Sequence, residues 1–252
     1  MNSTREYNNE SIKSLKDEDR VRLRPAVIFG SDGLEGCEHS VFEILSNSID
    51  EAREGYGKKI EITVGKDNDI TVCDHGRGIP VDFNNNEGKY NWELLFCELY
   101  AGGKYDNNSG DNYEYSLGLN GLGLCSTQYS SEYMDVTVIR DGYKYELHFE
   151  KGKNVGGLKK EPTNSKSTGT KIHWKPDLEV FTDINIPIVY YQEILKRQSV
   201  VNAGLEFELK DLKTGGTYNY CYENGIKDYI VERAGEKSLT EIQFYHDETK
   251  GK

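Results

Sequence analysis

Between residues 37 and 55 the segment CEHSVFEILSNSIDEAREG places Val41, Ile44, Leu45, Ile49 and Ala52 at helical spacing, contains no proline and ends on glycine, which predicts an amphipathic helix. The period then changes to two. IEITV from Ile60, a polar KDND turn and DITVCD from Asp69 predict a β-hairpin whose second strand runs directly into HGRGIP. WELLFCELYAGG from Trp92 predicts a second helix closed by glycine, and residues 104–115, rich in Asn, Asp, Gly and Ser, have the composition of a long mobile loop. LCSTQYS from Leu124 predicts a short helix, and MDVTVIRDGYKYELHFEKG two strands around Asp141-Gly142. GTKIHW from Gly169 reads as a strand and IVYYQEILKRQSVVNAG as a helix ended by Gly204. LEFELKD with TYNYCYE gives a further hairpin, and a short helix follows Gly225. Strand pairs joined by tight turns, with helices inserted between them, predict an α+β two-layer sandwich: a mostly antiparallel, mixed sheet covered on one face by helices. Residues 1–20 lack periodicity and are expected to form an arm, residues 21–235 one domain, and residues 236–252 a tail; no internal repeat is present.

Composition narrows the function classes. No run approaches the roughly 18 apolar residues that a membrane helix needs. The polar opening MNSTREYNNESIKSLKDEDR lacks the apolar middle of a secretory signal, so a cytoplasmic chain is expected. Five scattered cysteines with no C-x-x-C pair argue against a disulfide framework and against a zinc site of the paired-cysteine kind. A formal charge of −12 with no basic cluster makes this stretch a poor binder of nucleic acid on its own.

Four segments carry candidate chemistry. At about 100° per residue, Glu43, Asn47, Asp50 and Glu54 fall within roughly 60° of one another, opposite the apolar stripe of the first helix. Such a face is commonly a solvated acidic surface. The amide Asn47 one turn from Glu43 also suits a magnesium ion that takes few protein ligands and leaves the rest to phosphate and water. Asp74-His75-Gly76-Arg77-Gly78 follows a strand: either an ordinary turn, or a buried carboxylate that accepts a hydrogen bond from an exocyclic amino group while the glycines let a planar base approach. Gly118, Gly121 and Gly123 in SLGLNGLG precede a predicted helix, an arrangement that offers backbone N–H groups to phosphate oxygens. Their order fits neither a dinucleotide fingerprint nor a P-loop.

In order and spacing these segments resemble the GHKL ATPases, which include DNA gyrase B subunits, topoisomerase IV, MutL proteins, heat-shock chaperones and sensor histidine kinases. The similarity is greatest to the B-type subunits of bacterial type II topoisomerases. It rests on RLRPAVIFGS, VFEILSNSIDEA, ITVCDHGRGIP, ELYAGGKYD, SLGLNGLG and GTKIHWKPD and spans nearly the whole chain. The resemblance implies ATP as ligand and Mg2+ as its ion. It implies Glu43 as the general base toward water, Asn47 as the metal ligand with Asp50 nearby, and Asp74 as the adenine reader supported by Thr170. Gly78, Ile79 and Pro80 would flank the base. Gly102, Gly103 and Lys104, with Gly118, Leu119, Asn120, Gly121, Leu122 and Gly123, would form a phosphate-binding lid. Arg77 and Arg140 would border the pocket where aminocoumarin-type inhibitors sit, and Tyr7 and Ile12 would belong to an arm reaching a second protomer. The implied partners are a second copy of the chain when nucleotide is bound, and a gyrase A or ParC-type subunit and double-stranded DNA through other regions. Departures from the family pattern are Leu117 and Asn120 in LGLNGLG, where GGLHGVG is usual, together with Ser46 and Phe29. A non-catalytic nucleotide switch and another GHKL branch stand as alternatives.

Overall fold

The computed structural model describes residues 14–101 and 121–235 together with Thr240 and Gln243. The chain enters through α1 (Asp17–Leu23), whose first turn is acidic (Asp17, Glu18, Asp19) and whose last is basic (Arg20, Arg22), the distribution that a helix dipole favours. The last residues of the segment expected to form an arm are therefore helical. Arg22 ties α1 down: Nη2 meets Asp177 Oδ2 at 2.7 Å and Nη1 donates to the Tyr129 carbonyl at 3.0 Å. A second helix, α2 (Pro25–Phe29), carries Pro25 at its start, where the missing N–H costs nothing, and ends on Gly30 with φ 79°. Neither short helix has enough periodicity to stand out in the sequence.

The helix predicted over 37–55 is α3 (Leu34–Arg53), begun one turn earlier than expected. After it come β1 (Lys59–Val64) and β2 (Ile70–Asp74), then a small hairpin of β3 (Phe83–Asn84) and β4 (Lys89–Tyr90), α4 (Asn91–Cys97), α5 (Gly123–Tyr129), β5 (Ser131–Arg140) and β6 (Tyr143–Glu150). The chain continues through β7 (Lys153–Asn154), β8 (Lys159–Pro162), β9 (Gly169–Pro176), α6 (Ile188–Val201), β10 (Glu206–Asp211), β11 (Thr217–Tyr220) and α7 (Ile226–Ala234). The short strands β3, β4, β7 and β8 are additions to the predicted elements. Helix α4 stops well before the glycines read as its end. Glu98 is extended, the Leu99 N–H turns to Asp17 Oδ2 (3.2 Å), and the Cys97 carbonyl accepts the Tyr129 hydroxyl (2.6 Å), so the chain is diverted onto α1 and α5.

Nine strands form one sheet in the order β11-β10-β1-β2-β9-β5-β6-β7, with β8 also paired to β6. All its pairings are antiparallel except β1 with β10. Period-two alternation sends one side of each strand into the core. Leu209, Ile62, Val72, Ile172, Val136 and Leu147 make one buried row across six strands; Val64, Ile70, Trp174, Met134 and Phe149 make the next. Helix α3 lays Val41, Ile44, Leu45 and Ile49 over these rows, and α5 and α6 cover the flanks, giving the predicted α+β arrangement. Trp174, wholly buried, keeps its indole N–H satisfied on the Thr127 carbonyl of α5 at 3.0 Å.

Ile49 is completely buried beneath α3. Ile49→Ala is expected to lower the free energy of unfolding by about 2–5 kcal/mol, read as a lower urea midpoint at unchanged slope, because the rigid sheet below cannot close the cavity.

Candidate functional site

Asp74, the last residue of β2, lies in the inward-facing set of the sheet and is 7% exposed. Its carboxylate is held from three directions. Oδ1 accepts the Gly76 N–H at 3.0 Å and the Thr170 N–H at 3.2 Å, and Oδ2 accepts the Ser48 hydroxyl of α3 at 3.0 Å. Burial pushes the Asp74 carboxyl above the ordinary aspartate value, and the three donors pull part of the way back. A carboxylate offers about four acceptor positions, so a fourth is left for one more donor.

The backbone around Asp74 is packed too closely for side chains. A Cβ on Gly169, which has φ 149°, would sit 2.2 Å from the Asp74 carbonyl oxygen. One on Gly78, with φ 80°, would sit 2.8 Å from the Ile139 carbonyl oxygen. Thr170, buried in β9, accepts the Ile79 N–H on Oγ1 at 3.0 Å, and Arg140 Nη1 donates to the Gly78 carbonyl at 2.7 Å. Thus Asp74, Gly78, Ile79, Arg140 and Thr170, far apart in sequence, meet at one end of β2; Ile79 is half-buried there and Pro80 exposed.

Arg77 is fixed on the rim. Nε and Nη2 grip the two oxygens of Glu51 at 2.9 Å each, its own N–H adds a bond of 2.7 Å, and its guanidinium lies 3.7 Å from the centre of the Tyr56 ring. Burial alone would raise the Glu51 carboxyl, but the Arg77 contacts override it and hold Glu51 below the ordinary range.

The polar stripe of α3 supplies the other half. Glu43 Oε1 is 3.0 Å from His39 Nε2, one turn earlier. The hydrogen bond that the imidazole donates to the Glu43 carboxylate raises His39 above its usual pKa against the opposing effect of burial. The other Glu43 oxygen reaches Gly123, where a Cβ would lie only 2.0 Å from it. The start of α5 and the carboxylate therefore fit together only because residue 123 is glycine. Asn47 donates its amide N–H to the Glu43 carbonyl at 2.7 Å, which points its Oδ1 away from the helix backbone. Gly121, with φ 58°, accepts the Tyr100 N–H, and Leu122 caps α5. Asp50 is buried with Arg53 Nη1 at 3.9 Å, and Glu54 serves as the C-cap of α3. Tyr7, Ile12, Gly102, Gly103, Lys104, Leu117, Gly118, Leu119 and Asn120 lie outside the described residues.

Three contributors were not singled out in the sequence. His39 extends the Glu43–Asn47 stripe by one turn backward, which helical spacing would have revealed. Ser48 and Glu51 sit on the flank of that stripe and matter only because β2 ends beside them.

The pattern described as Histidine kinase-, DNA gyrase B-, and HSP90-like ATPase matches residues 34–180, from the first residue of α3 to just beyond β9. The chain belongs to this family of ATPases. It is 38% identical over 229 residues to the B subunit of the type 2 topoisomerase of Aquifex aeolicus, with 89% of this chain and 28% of that protein covered. It is 36% identical over 237 residues to the DNA gyrase B protein of Thermotoga maritima, covering 94% and 37%. To the B component of DNA topoisomerase 4 of Streptococcus pneumoniae it is 35% identical over 248 residues, covering 97% and 38%. The chain thus spans between about a quarter and two-fifths of the length of these relatives. Among solved structures, the 43K ATPase domain of Thermus thermophilus gyrase B, in complex with an aminocoumarin, superimposes with TM-score 0.76 at 29% identity over 88% of this chain and 56% of that one. The mostly antiparallel sheet and its helix layer are thus the architecture of this ATPase family.

Gly169→Ala is expected to destabilise the protein by about 1–3 kcal/mol, because the new methyl group has backbone on its far side and cannot be accommodated by a side-chain rotation. Thermal unfolding with and without ligand measures this, and a wild-type melting temperature would mean that the β2–β9 junction is looser than described.

Proposed function

We propose that this chain is the ATP-binding portion of the B-type component of a bacterial type II topoisomerase, of the gyrase or topoisomerase IV kind, and that nucleotide binding closes a dimer in the complete enzyme. The observation that carries the reading is the Asp74 carboxylate, buried, held by three donors and left with one acceptor position at the mouth of a glycine-lined turn. Such a group selects a base with an exocyclic amino donor, as in adenine, over one with a keto oxygen in its place.

The residues present fit a nucleotide with its magnesium ion. Ile79 and Pro80 flank the base, Thr170 holds the turn by accepting the Ile79 N–H, and Arg140 holds it through the Gly78 carbonyl. Arg77, locked to Glu51, keeps the rim in place, and an aminocoumarin-type inhibitor would lean on Arg77 and Arg140. The polar face of α3 leads from Asp74 to the phosphate end. There Asn47, its amide oxygen directed off the helix, would hold the ion with Asp50 in support, and the ion would offset phosphate charge. Gly121, Leu122 and Gly123 bring the start of α5 against Glu43, so phosphates gathered by that backbone would lie beside the carboxylate. The lid residues Gly102, Gly103, Lys104, Gly118, Leu119 and Asn120 would complete their enclosure.

Glu43 is the group placed to take a proton from an attacking water, with His39 orienting its carboxylate. This chain by itself is expected to turn ATP over feebly, since the resemblance to type II topoisomerase B subunits implies a lysine supplied to the phosphate site from outside this stretch. The arm carrying Tyr7 and Ile12 would engage a second copy when ATP is bound. DNA and a gyrase A or ParC-type subunit would be met through other regions, consistent with the charge of −12 here.

Calorimetric titration of a non-hydrolysable ATP analogue with magnesium is expected to show one site per chain, no binding of the GTP analogue, and loss of adenine selectivity in Asp74→Asn. Because the accepting form of Asp74 is the carboxylate and burial raises its pKa, ATP affinity should fall on acidification at a pH above the ordinary aspartate range. Equal binding of both nucleotides at every pH would refute the assignment of Asp74.

In a version extended to the length of its relatives, Glu43→Gln should keep nucleotide affinity while hydrolysis falls by about 10²–10⁴-fold. Undiminished turnover in that variant would remove Glu43 from the reaction.

A further inference from the structure

The face of the sheet turned away from the helices is polar, and one row on it has an unusual composition. Glu208, Glu61, Cys73, Lys171, Thr137 and Glu146 stand side by side on β10, β1, β2, β9, β5 and β6. Glu61 and Cys73 are direct cross-strand partners, and His75, two residues beyond Cys73, emerges on the same side. The imidazole Nε2 lies 3.0 Å from Glu61 Oε2, and one ligand atom from each of Glu61, Cys73 and His75 falls within 4.8 Å of the others. The nucleotide reading uses none of these three side chains.

We propose that Glu61, Cys73 and His75 form a binding site for a single zinc-class divalent cation on the outer face of the sheet. One thiolate, one imidazole and one carboxylate are the donor types that Zn2+ takes, and three protein ligands leave a fourth tetrahedral position for water. Magnesium and calcium, which require oxygen donors, do not suit this set. With metal–ligand distances of about 2.0–2.3 Å, tetrahedral donors stand roughly 3.4–3.6 Å apart, so side-chain rotations alone bring the three atoms into place. The cysteine is half-buried, whereas His75 and Glu61 open toward solvent and provide the entry path. Lys210 is drawn to Glu208 at 2.5 Å and stays 3.9 Å from Glu61, while Lys59 is engaged by Glu208 at 2.6 Å.

The exchange balances simply: the ion enters, the Cys73 thiol releases one proton to solvent, and the His75 imidazole and the Glu61 carboxylate donate lone pairs. Affinity therefore rises with pH until the thiol of the metal-free protein is itself ionised. Burial, then the neighbouring Asp74 and Glu61 charges, push the thiol pKa up, while Lys171 opposes them, so proton release is part of binding at neutral pH. Cys73 and His75 bracket Asp74 in sequence, so the ion would clamp from outside the strand end whose carboxylate works on the inside.

Cobalt(II) titration of the reduced protein, without nucleotide or magnesium, tests the site through its thiolate-to-cobalt charge-transfer band, followed by displacement with zinc. One cobalt per chain with that band is expected. Cys73→Ser should abolish the band, and His75→Ala and Glu61→Gln should each weaken binding by about 10-fold or more, since even groups that merely orient a ligand are worth about 10–100-fold. Both of the latter alter side chains open to solvent and keep the test valid if Cys73→Ser folds poorly. Cys221→Ser, which removes the exposed cysteine, and His39→Ala, which removes the imidazole beside Glu43, should leave the band unchanged. Absence of a thiolate band in the wild type, its survival in Cys73→Ser, or its loss in Cys221→Ser or His39→Ala would overturn the proposal.

Discussion

A carboxylate taken out of water must find donors, and the way Asp74 finds them organises the centre of this molecule. Its partners come from three places: the turn that follows it (Gly76), the start of β9 (Thr170) and the middle of α3 (Ser48). Helix layer, sheet and loop are thereby locked to a single pair of oxygen atoms. The glycines around it follow from the same demand. Gly169 and Gly78 let β9 and the loop after β2 approach closely enough for backbone N–H groups to reach the carboxylate. Thr170 then serves both sides, giving its N–H to Asp74 and accepting the Ile79 N–H on its hydroxyl. An apolar residue at position 74 would pack in the same row but would leave no reason for the turn to keep its shape.

The α3 helix performs a matching task along its length. Its apolar stripe seats it on the sheet, which fixes the azimuth of the opposite stripe and aims Glu43 toward the start of α5. The residues proposed to bind at both ends of the site therefore depend on the packing of Ile44, Leu45 and Ile49, none of which would touch a ligand.

Most of the strands and longer helices were legible because their periodicity is sustained: the hairpins β1–β2, β5–β6 and β10–β11, and helices α3 and α6, reproduce the sequence pattern with shifts of a few residues. Short elements were not. Helices α1 and α2 owe their position to Arg22 and to the proline and glycine that bound α2, and α4 ends early because of hydrogen bonds to Asp17 and Tyr129. Those partners are remote in sequence and leave no local mark. The site divides the same way. Asp74, Glu43 and Asn47 stand in motifs, whereas the bonds from Ser48 to Asp74 and from Glu51 to Arg77 exist only because α3 lies against the end of β2. His39 was within reach of helical geometry, one turn before Glu43 on the same stripe.

The parallel pairing of β1 with β10 brings together residues such as Lys59 and Glu208, 149 positions apart in the chain, one strand in from the β11 edge of the sheet. At ribosomal speeds of about 5–20 residues per second, β1 is synthesised roughly 7–30 s before its neighbour exists. Through that interval one side of a strand destined for the interior stands as an open edge, the situation in which nascent chains stick to one another. Lys59 and Glu61, alternating with the apolar residues of β1, place charge along that edge. They are the kind of side chain that keeps an unfinished sheet from recruiting a stranger. The sheet thus closes only once β10 has emerged, and its most sequence-distant pairing is also its only parallel one.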